Sequence, residues 1–430
     1  TINGSYGINN YNNSSIGNVT NSGTISGNIL AILNQVLSSI GNVTNSGTIT
    51  GGPLGVNNNN STITALTNSI GGVIHGGSYG VYDNGGSIGA INNSGTINGN
   101  IVGLFNTNSG IIGSISNSGL ISSDGSGINN TSGTIGTITN SISGSIIASI
   151  TGIYNSDSVA TIVNAGTISS NNLGVYNNTG SIVSISNSGT ISAHNDGVNN
   201  INSGSIGIIS NSGTISSNLG SGIYNSGSTI ASITNSIGGV ISGRYAAIQN
   251  YGGSTITAIT NAGTLTGGPY GIENNGLIGG GVTAINSSGT IIGGIFNQGT
   301  ISGNVIANQD LSIMGIGGVG TLTGGSITAN NLILNGGVMQ LLQDNIIVGS
   351  GSGTVTNDGT LWIYNAAQSI TGNLVGTGQL VIGVTDSSNY GALVASGFAH
   401  LNGDRISIVD LGGGFSNGEA FTVVQASVAG

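Results

Sequence analysis

The chain contains no cysteine, which excludes a disulfide framework and any thiolate metal site. It has no lysine either, so Arg244 and Arg405 are the only cations among 430 residues. Phosphate recognition needs clustered Lys and Arg, and nucleic acid and anionic membrane surfaces are therefore excluded as partners. Acids are scarce too: twelve Asp and Glu give a formal net charge of −10, and 3% of residues are charged. An ordinary soluble domain carries roughly a quarter. Disorder of the usual kind pairs low hydrophobicity with high charge, whereas 37% of this chain is hydrophobic. No run approaches about 18 consecutive apolar residues, so no transmembrane segment is expected. The chain opens on Thr1 inside a repetitive stretch, without a charged n-region or apolar h-region, and reads as a mature or excised segment.

What is abundant is periodic. Glycine accounts for 83 residues, and the rest of the matrix is Ser, Thr, Asn and Ile. The motif Asn21-Ser22-Gly23-Thr24-Ile25 returns every 22 to 26 residues and is still visible at Ser287-Ser288-Gly289-Thr290-Ile291. A period of that length means one supersecondary unit stacked many times.

Each unit holds three pieces. One is Gly-[Ile/Val]-x-Asn, as in Gly7-Ile8-Asn9-Asn10, Gly152-Ile153-Tyr154-Asn155 and the variant Gly80-Val81-Tyr82-Asp83. Another is [Ser/Thr]-Ile-x-x-[Ile/Val]-x-Asn, as in Ser205-Ile206-Gly207-Ile208-Ile209-Ser210-Asn211; the last is Ser-Gly-Thr-Ile-[Ser/Thr]. All are strand-length, β-branched and punctuated by Gly and Asn. Recurrent glycine argues against helix. Identical segments at a fixed period lie best on their own copies, in parallel. The expected fold is all-β: a right-handed parallel β-helix (a solenoid) with three short strands per coil of about 24 residues. About thirteen such coils would make a rod of roughly 60 Å. Regular repeats are assigned to residues 1–300, and less regular coils with a C-terminal cap to 301–430.

The repeat places like residues in columns. Ile25, Ile49, Ile74, Ile97 and Ile121 open an interior stack that continues to Ile291. Asn21, Asn45, Asn93, Asn117, Asn187 and Asn211 belong to a structural ladder at a corner, where Asn tolerates left-handed angles and stacked amides can bond from coil to coil. Three coils carry a two-residue insertion at that corner, Asn68-Ser69-Ile70-Gly71-Gly72, Asn140-Ser141-Ile142-Ser143-Gly144 and Asn235-Ser236-Ile237-Gly238-Gly239.

Ala367-Gln368-Ser369-Ile370-Thr371-Gly372-Asn373-Leu374-Val375-Gly376-Thr377-Gly378-Gln379-Leu380 resembles the late coils of autotransporter passenger domains (type V secretion). So do Ile406-Ser407-Ile408-Val409-Asp410 and Gly418-Glu419-Ala420-Phe421-Thr422-Val423-Val424-Gln425-Ala426. The resemblance covers the whole chain as a fold and concentrates in the last 70 residues or so. It implies a bacterial cell-surface or extracellular passenger that follows outer-membrane secretion, with residues near the end helping the passenger fold after translocation.

No catalytic constellation is legible. Asp83, Asp124, Asp157, Asp196 and Glu273 fall at different offsets in their coils, and His75, His194 and His400 are equally scattered. No catalytic, cofactor-binding or metal-binding residue is assigned, no cofactor is expected, and the chain reads as a non-enzyme. Asp404-Arg405 reads as a turn with a solvated charge pair. Two outward columns remain. Tyr82, Phe105, Tyr154, Tyr176, Tyr224 and Phe296 follow the Gly-Ile position, interspersed with Asn, and would suit host glycans or receptors, though such rings also merely cover backbone. The row Thr24/Ser26, Thr48/Thr50 and onward resembles the lattice of ice-binding solenoids, but Val73, Leu120 and Val240 interrupt it. The expected function is a self-associating filament or coat, its partner being itself, end to end or laterally. The alternatives are an adhesin using the aromatic column and, third, an ice-binding solenoid.

Overall fold

The computed structural model describes residues 1–428 apart from 316, 317, 343, 365, 404 and 414–417. The chain is an all-β parallel β-solenoid of about 17 turns, with coils of about 24 residues. It comprises two compact units, Thr1–Tyr224 and Asn225–Gly430.

In the first unit a representative coil has three strands, Ser39–Asn45, Thr48–Gly51 and Leu54–Asn59. Each pairs in parallel with its copy in the next coil: Ile40 with Ile63, Ile49 with Ile74, and Val56 with Val81. Ile40, Val43, Asn45, Ile49 and Val56 are all buried, the three-residue step from Ile40 to Val43 across Gly41 breaking strict alternation within the strand. Each coil thus adds four apolar side chains to four continuous stacks. Burying each contributes about 1.5–3 kcal/mol, which is how so polar a chain sustains a core.

The glycine of the Gly-[Ile/Val]-x-Asn motif has a steric cause. A Cβ on Gly103, Gly127 or Gly174 would stand 2.8, 2.6 or 2.7 Å from the Cγ2 of Ile121, Ile146 or Ile191 respectively, in the Thr-Ile strand of the following coil. Any larger residue would push the two strands apart.

One expectation about the Asn column needs correction. Asn21, Asn45, Asn93, Asn117 and Asn187 end strands in extended backbone, and none has positive φ. Left-handed residues gather instead where the Gly-Ile strand turns into the next coil: Asn12, Asn13, Asn60, Asn108, Ser132, Thr179 and Asn202 among them. Val36 and Leu37 share that conformation, at φ 58° and 59°. A β-branched residue there is strained.

The second unit continues the pattern through Thr229–Asn235, Thr255–Asn261 and Thr264–Gly267. The strand Leu277–Ser287 is bulged, with register shifts against both neighbours. Further on, Leu332–Asn335, Thr354–Asn357 and Asn373–Gly376 pair in parallel. A small antiparallel hairpin then joins Val384 to Tyr390 and Asp386 to Asn389. Asp386 accepts hydrogen bonds from the Ser388 hydroxyl and amide and from Asn389, which hold its carboxyl down at about 2. The last strands, Arg405–Asp410 and Val424–Val428, are largely exposed. The Asp404-Arg405 turn falls partly outside the described residues, at Asp404.

Candidate functional site

Register brings the aromatic column together in pairs. Phe105 lies beside Tyr82 and Tyr176 beside Tyr154 in adjacent strands, whereas Asn129 and Asn199 separate the groups. Tyr82 and Phe105 stack with ring centroids 5.3 Å apart, and Tyr79 closes the group at 5.2 and 5.1 Å from them. Tyr154 and Tyr176 meet edge to face at 5.3 Å. These rings, and that of Tyr224, are half-buried. Burial raises the phenol pKa of Tyr82 and Tyr176, and the neighbouring Tyr79 and Tyr154 add to it.

In the second unit Phe296 is buried rather than presented outward, because Tyr270 stacks on it at 4.5 Å. Its neighbour in the column is Glu273, also buried, which accepts hydrogen bonds from the Tyr245 hydroxyl at 3.2 Å and the Asn275 amide at 3.3 Å. Burial raises the Glu273 pKa, and these bonds, with one from Gln249, oppose it. Tyr79, Tyr245 and Tyr270 were not singled out from sequence. They sit two or three residues before the Gly-Ile apolar position, outside the motif, and only folding turns them onto the column.

The Thr row is less regular than an ideal lattice. In addition to Val73 and Leu120, its second line carries His75, Asn98 and Ile147 between Thr50 and Ser169. His75 bonds to Asn98 at 2.9 Å. The corner insertions project their isoleucines almost completely into solvent, with Ile70, Ile142 and Ile237 exposed by 85, 88 and 85%. At another corner Leu37, Ser61, Gly86, Ser87 and Ile111 line an open groove of about 390 Å³.

Two amide ladders run through the chain where sequence reading found one. In the first, Asn21 Nδ2 donates to Asn45 Oδ1 at 2.7 Å, and the same bond repeats through Asn68, Asn93, Asn117, Asn140, Asn164 and Asn187 to Asn211. In the second, the last residue of each Gly-[Ile/Val]-x-Asn motif does the same: Asn10 to Asn34, Asn34 to Asn58, and Asn106 through Asn130, Asn155 and Asn177 to Asn200. The motif itself was the available signal. Asp83 occupies this second ladder, although by offset alone it looked like one scattered acid among five.

The remaining acids do not converge. Asp196 Oδ2 accepts from Asn199 and Oδ1 from the Ser221 amide, while burial raises its pKa. Asp344 accepts from the Gly325 and Leu342 amides, and burial brings it up to about 6. Among the described residues no three His, Cys, Asp or Glu side chains are placed to hold a metal ion, and no helix is long and apolar enough to cross a membrane. The arrangement offers repeated shallow contacts, with partly exposed rings on one column and projecting isoleucines at one corner. No protein-family model, curated protein or solved structure matches this chain.

Proposed function

We propose that this chain is a non-enzymatic structural protein of the bacterial cell surface, an autotransporter-like passenger that associates with copies of itself into a fibre or coat. The observation that carries the reading is a β-solenoid of about 17 turns bearing 14 charged side chains in 430 residues. Surfaces so poor in charge repel one another weakly, and net charge is what ordinarily keeps repetitive β proteins apart. The exposed isoleucines at the corner insertions supply apolar contact points between copies. The passenger-like segments near the C-terminus support an extracellular setting, where so few cations also leave only two trypsin sites.

Electron microscopy of the purified chain across a concentration series, with light scattering alongside, tests this. Filaments or sheets that grow with concentration are expected at neutral pH. Monomers at every concentration would remove self-association as the function.

A second reading rests on the ring clusters Tyr79–Tyr82–Phe105 and Tyr154–Tyr176. Partly exposed ring faces beside Asn suit sugar stacking or a protein partner. Replacing Tyr154, Tyr176 and Tyr224 by Ser is then expected to abolish glycan-array or receptor binding and leave the fold intact. Unchanged binding would sink the adhesin reading.

A further inference from the structure

The second ladder has a defect at one coil. Every amide around it has a fixed sense: Nδ2 donates and Oδ1 accepts. Asn58 Nδ2 donates to Asp83 Oδ1 at 2.7 Å and to the carbonyls of Ser61 and Ser87. One coil on, Asn106 Nδ2 donates to Asn130 Oδ1 and to the carbonyls of Gly110 and Thr134. Asp83 pairs in register with both neighbours and is fully buried, yet where an Asn would carry its donor it carries a second oxygen. Asp83 Oδ2 and Asn106 Oδ1 are both buried without a hydrogen-bond partner. Two adjacent ladder positions thus present acceptor to acceptor.

Flipping the Asn106 amide does not repair this. It would give Asp83 a donor but turn Asn106 Oδ1 onto three acceptors now satisfied by Nδ2. A proton on Asp83 repairs it at once, since a neutral acid has one donor and one acceptor, as the amide does.

We propose that Asp83 is a proton-operated link in this ladder: as the neutral acid it donates from Oδ2 to Asn106 Oδ1 and joins the coils on either side, and as a carboxylate it opens that joint. The proton comes from solvent and returns to it. No charged group competes for this role. Besides the preceding strand Val73–Gly76, the strands packed against Tyr79–Asn84 are Leu54–Asn59, Thr96–Gly99 and Val102–Thr107, and those across the adjoining corner are Thr62–Asn68, Ser87–Asn93 and Ile111–Asn117. None of them contains an acid, a base or a tyrosine. On Asp83's own strand the titratable neighbours are Tyr79 and Tyr82, whose rings lie together on the outer aromatic column, and His75 lies on the preceding strand, bonded to Asn98. Space at the joint is tight: a Cβ on Gly86 would fall 2.7 Å from Asp83 Oδ1, and one on Gly110 2.9 Å from Oδ2. Burial raises the carboxyl to about 7, against the opposing hydrogen bond from Asn58 and the nearby Ile111 amide, which itself donates to the Gly86 carbonyl. The link therefore switches near neutrality. This inference does not depend on self-association.

The test compares the full chain with Asp83→Asn, which restores the amide found at this position in the neighbouring coils. Unfolding is followed by denaturant at steps between pH 5 and 8. The wild-type unfolding constant is expected to rise with pH by up to about tenfold per unit more than that of D83N, which keeps a continuous ladder throughout. Infrared difference spectra are expected to show a protonated-carboxyl C=O band at pH 5 that fades toward pH 8 and is larger in the wild type than the band that Asp344, Asp196 and Glu273 leave in D83N. Equal pH slopes in the two proteins, or carboxyl bands of equal size in both, would overturn the proposal. So would stabilisation of the wild type by calcium at pH 8 that D83N lacks, because the occupant of the joint would then be a cation.

Discussion

Gly127 shows how much a single position decides here. A Cβ on it would lie 2.6 Å from Ile146 Cγ2 and 2.8 Å from the Gly152 carbonyl, one a core side chain and the other a backbone atom. Neither yields without moving a strand. Gly127→Ala is accordingly expected to destabilise the chain by about 1–3 kcal/mol in denaturant unfolding. Gly17, with open space around its Cβ position, is the control and should accept alanine with no loss. The same scale explains the ladders. An Asn side chain carries a donor and an acceptor in a fixed geometry, so a column of them satisfies itself from coil to coil with bonds of 2.7–2.9 Å. One exchange of amide for acid breaks that arithmetic, which makes Asp83 the informative exception.

Among elements, the three corner insertions do no work for the core. Ile70, Ile142 and Ile237 stand clear of it, and Gly71 and Gly238 turn the chain at φ 79° and 81°. Replacing the three isoleucines by serine should leave unfolding stability within about 0.5 kcal/mol, as surface substitutions usually do. If copies of the chain associate through these tips, the same variant should need a higher concentration to form assemblies, as read by light scattering. Unchanged assembly would clear the tips of that role and leave the flat strand faces. The insertions were legible as a break in the period. Their exposure was not, because a sequence states that two residues are extra and not which way the loop leaves the corner.

For the whole molecule, the acids set the direction of pH dependence. Burial raises Asp83 to about 7, Asp344 to about 6, and Asp196 and Glu273 in the same direction. A carboxyl whose folded pKa lies above its unfolded value binds its proton more tightly when folded. Its stabilisation is therefore complete below the unfolded pKa and is lost as pH climbs through the folded one. Asp386, held down at about 2, works the other way, but only in strong acid. Thermal melts followed by circular dichroism should show the midpoint falling from pH 5, most steeply up to about pH 6, where Asp83 and Asp344 both hold their protons only when folded, and levelling above about 7. A midpoint that rises over that interval would contradict the burial of these acids. Asp83 alone accounts for a change on the order of a few kcal/mol.

The repeat period, the parallel stacking and the interior columns from Ile25 to Ile291 were readable in sequence, and so was the first Asn ladder. All four follow from alternation within a strand and identity between coils, which are local or strictly periodic properties. The second ladder was written in the Gly-[Ile/Val]-x-Asn motif yet became recognisable only when its Asn turned inward. The ring clusters, the cover that Tyr270 places over Phe296, and the opposed oxygens of Asp83 and Asn106 were decided by tertiary structure. Each depends on groups about one coil apart in the chain meeting at a few ångströms, with donors and acceptors oriented by the register. Periodicity determines which residues share a column; only the folded backbone determines which atoms face each other along it.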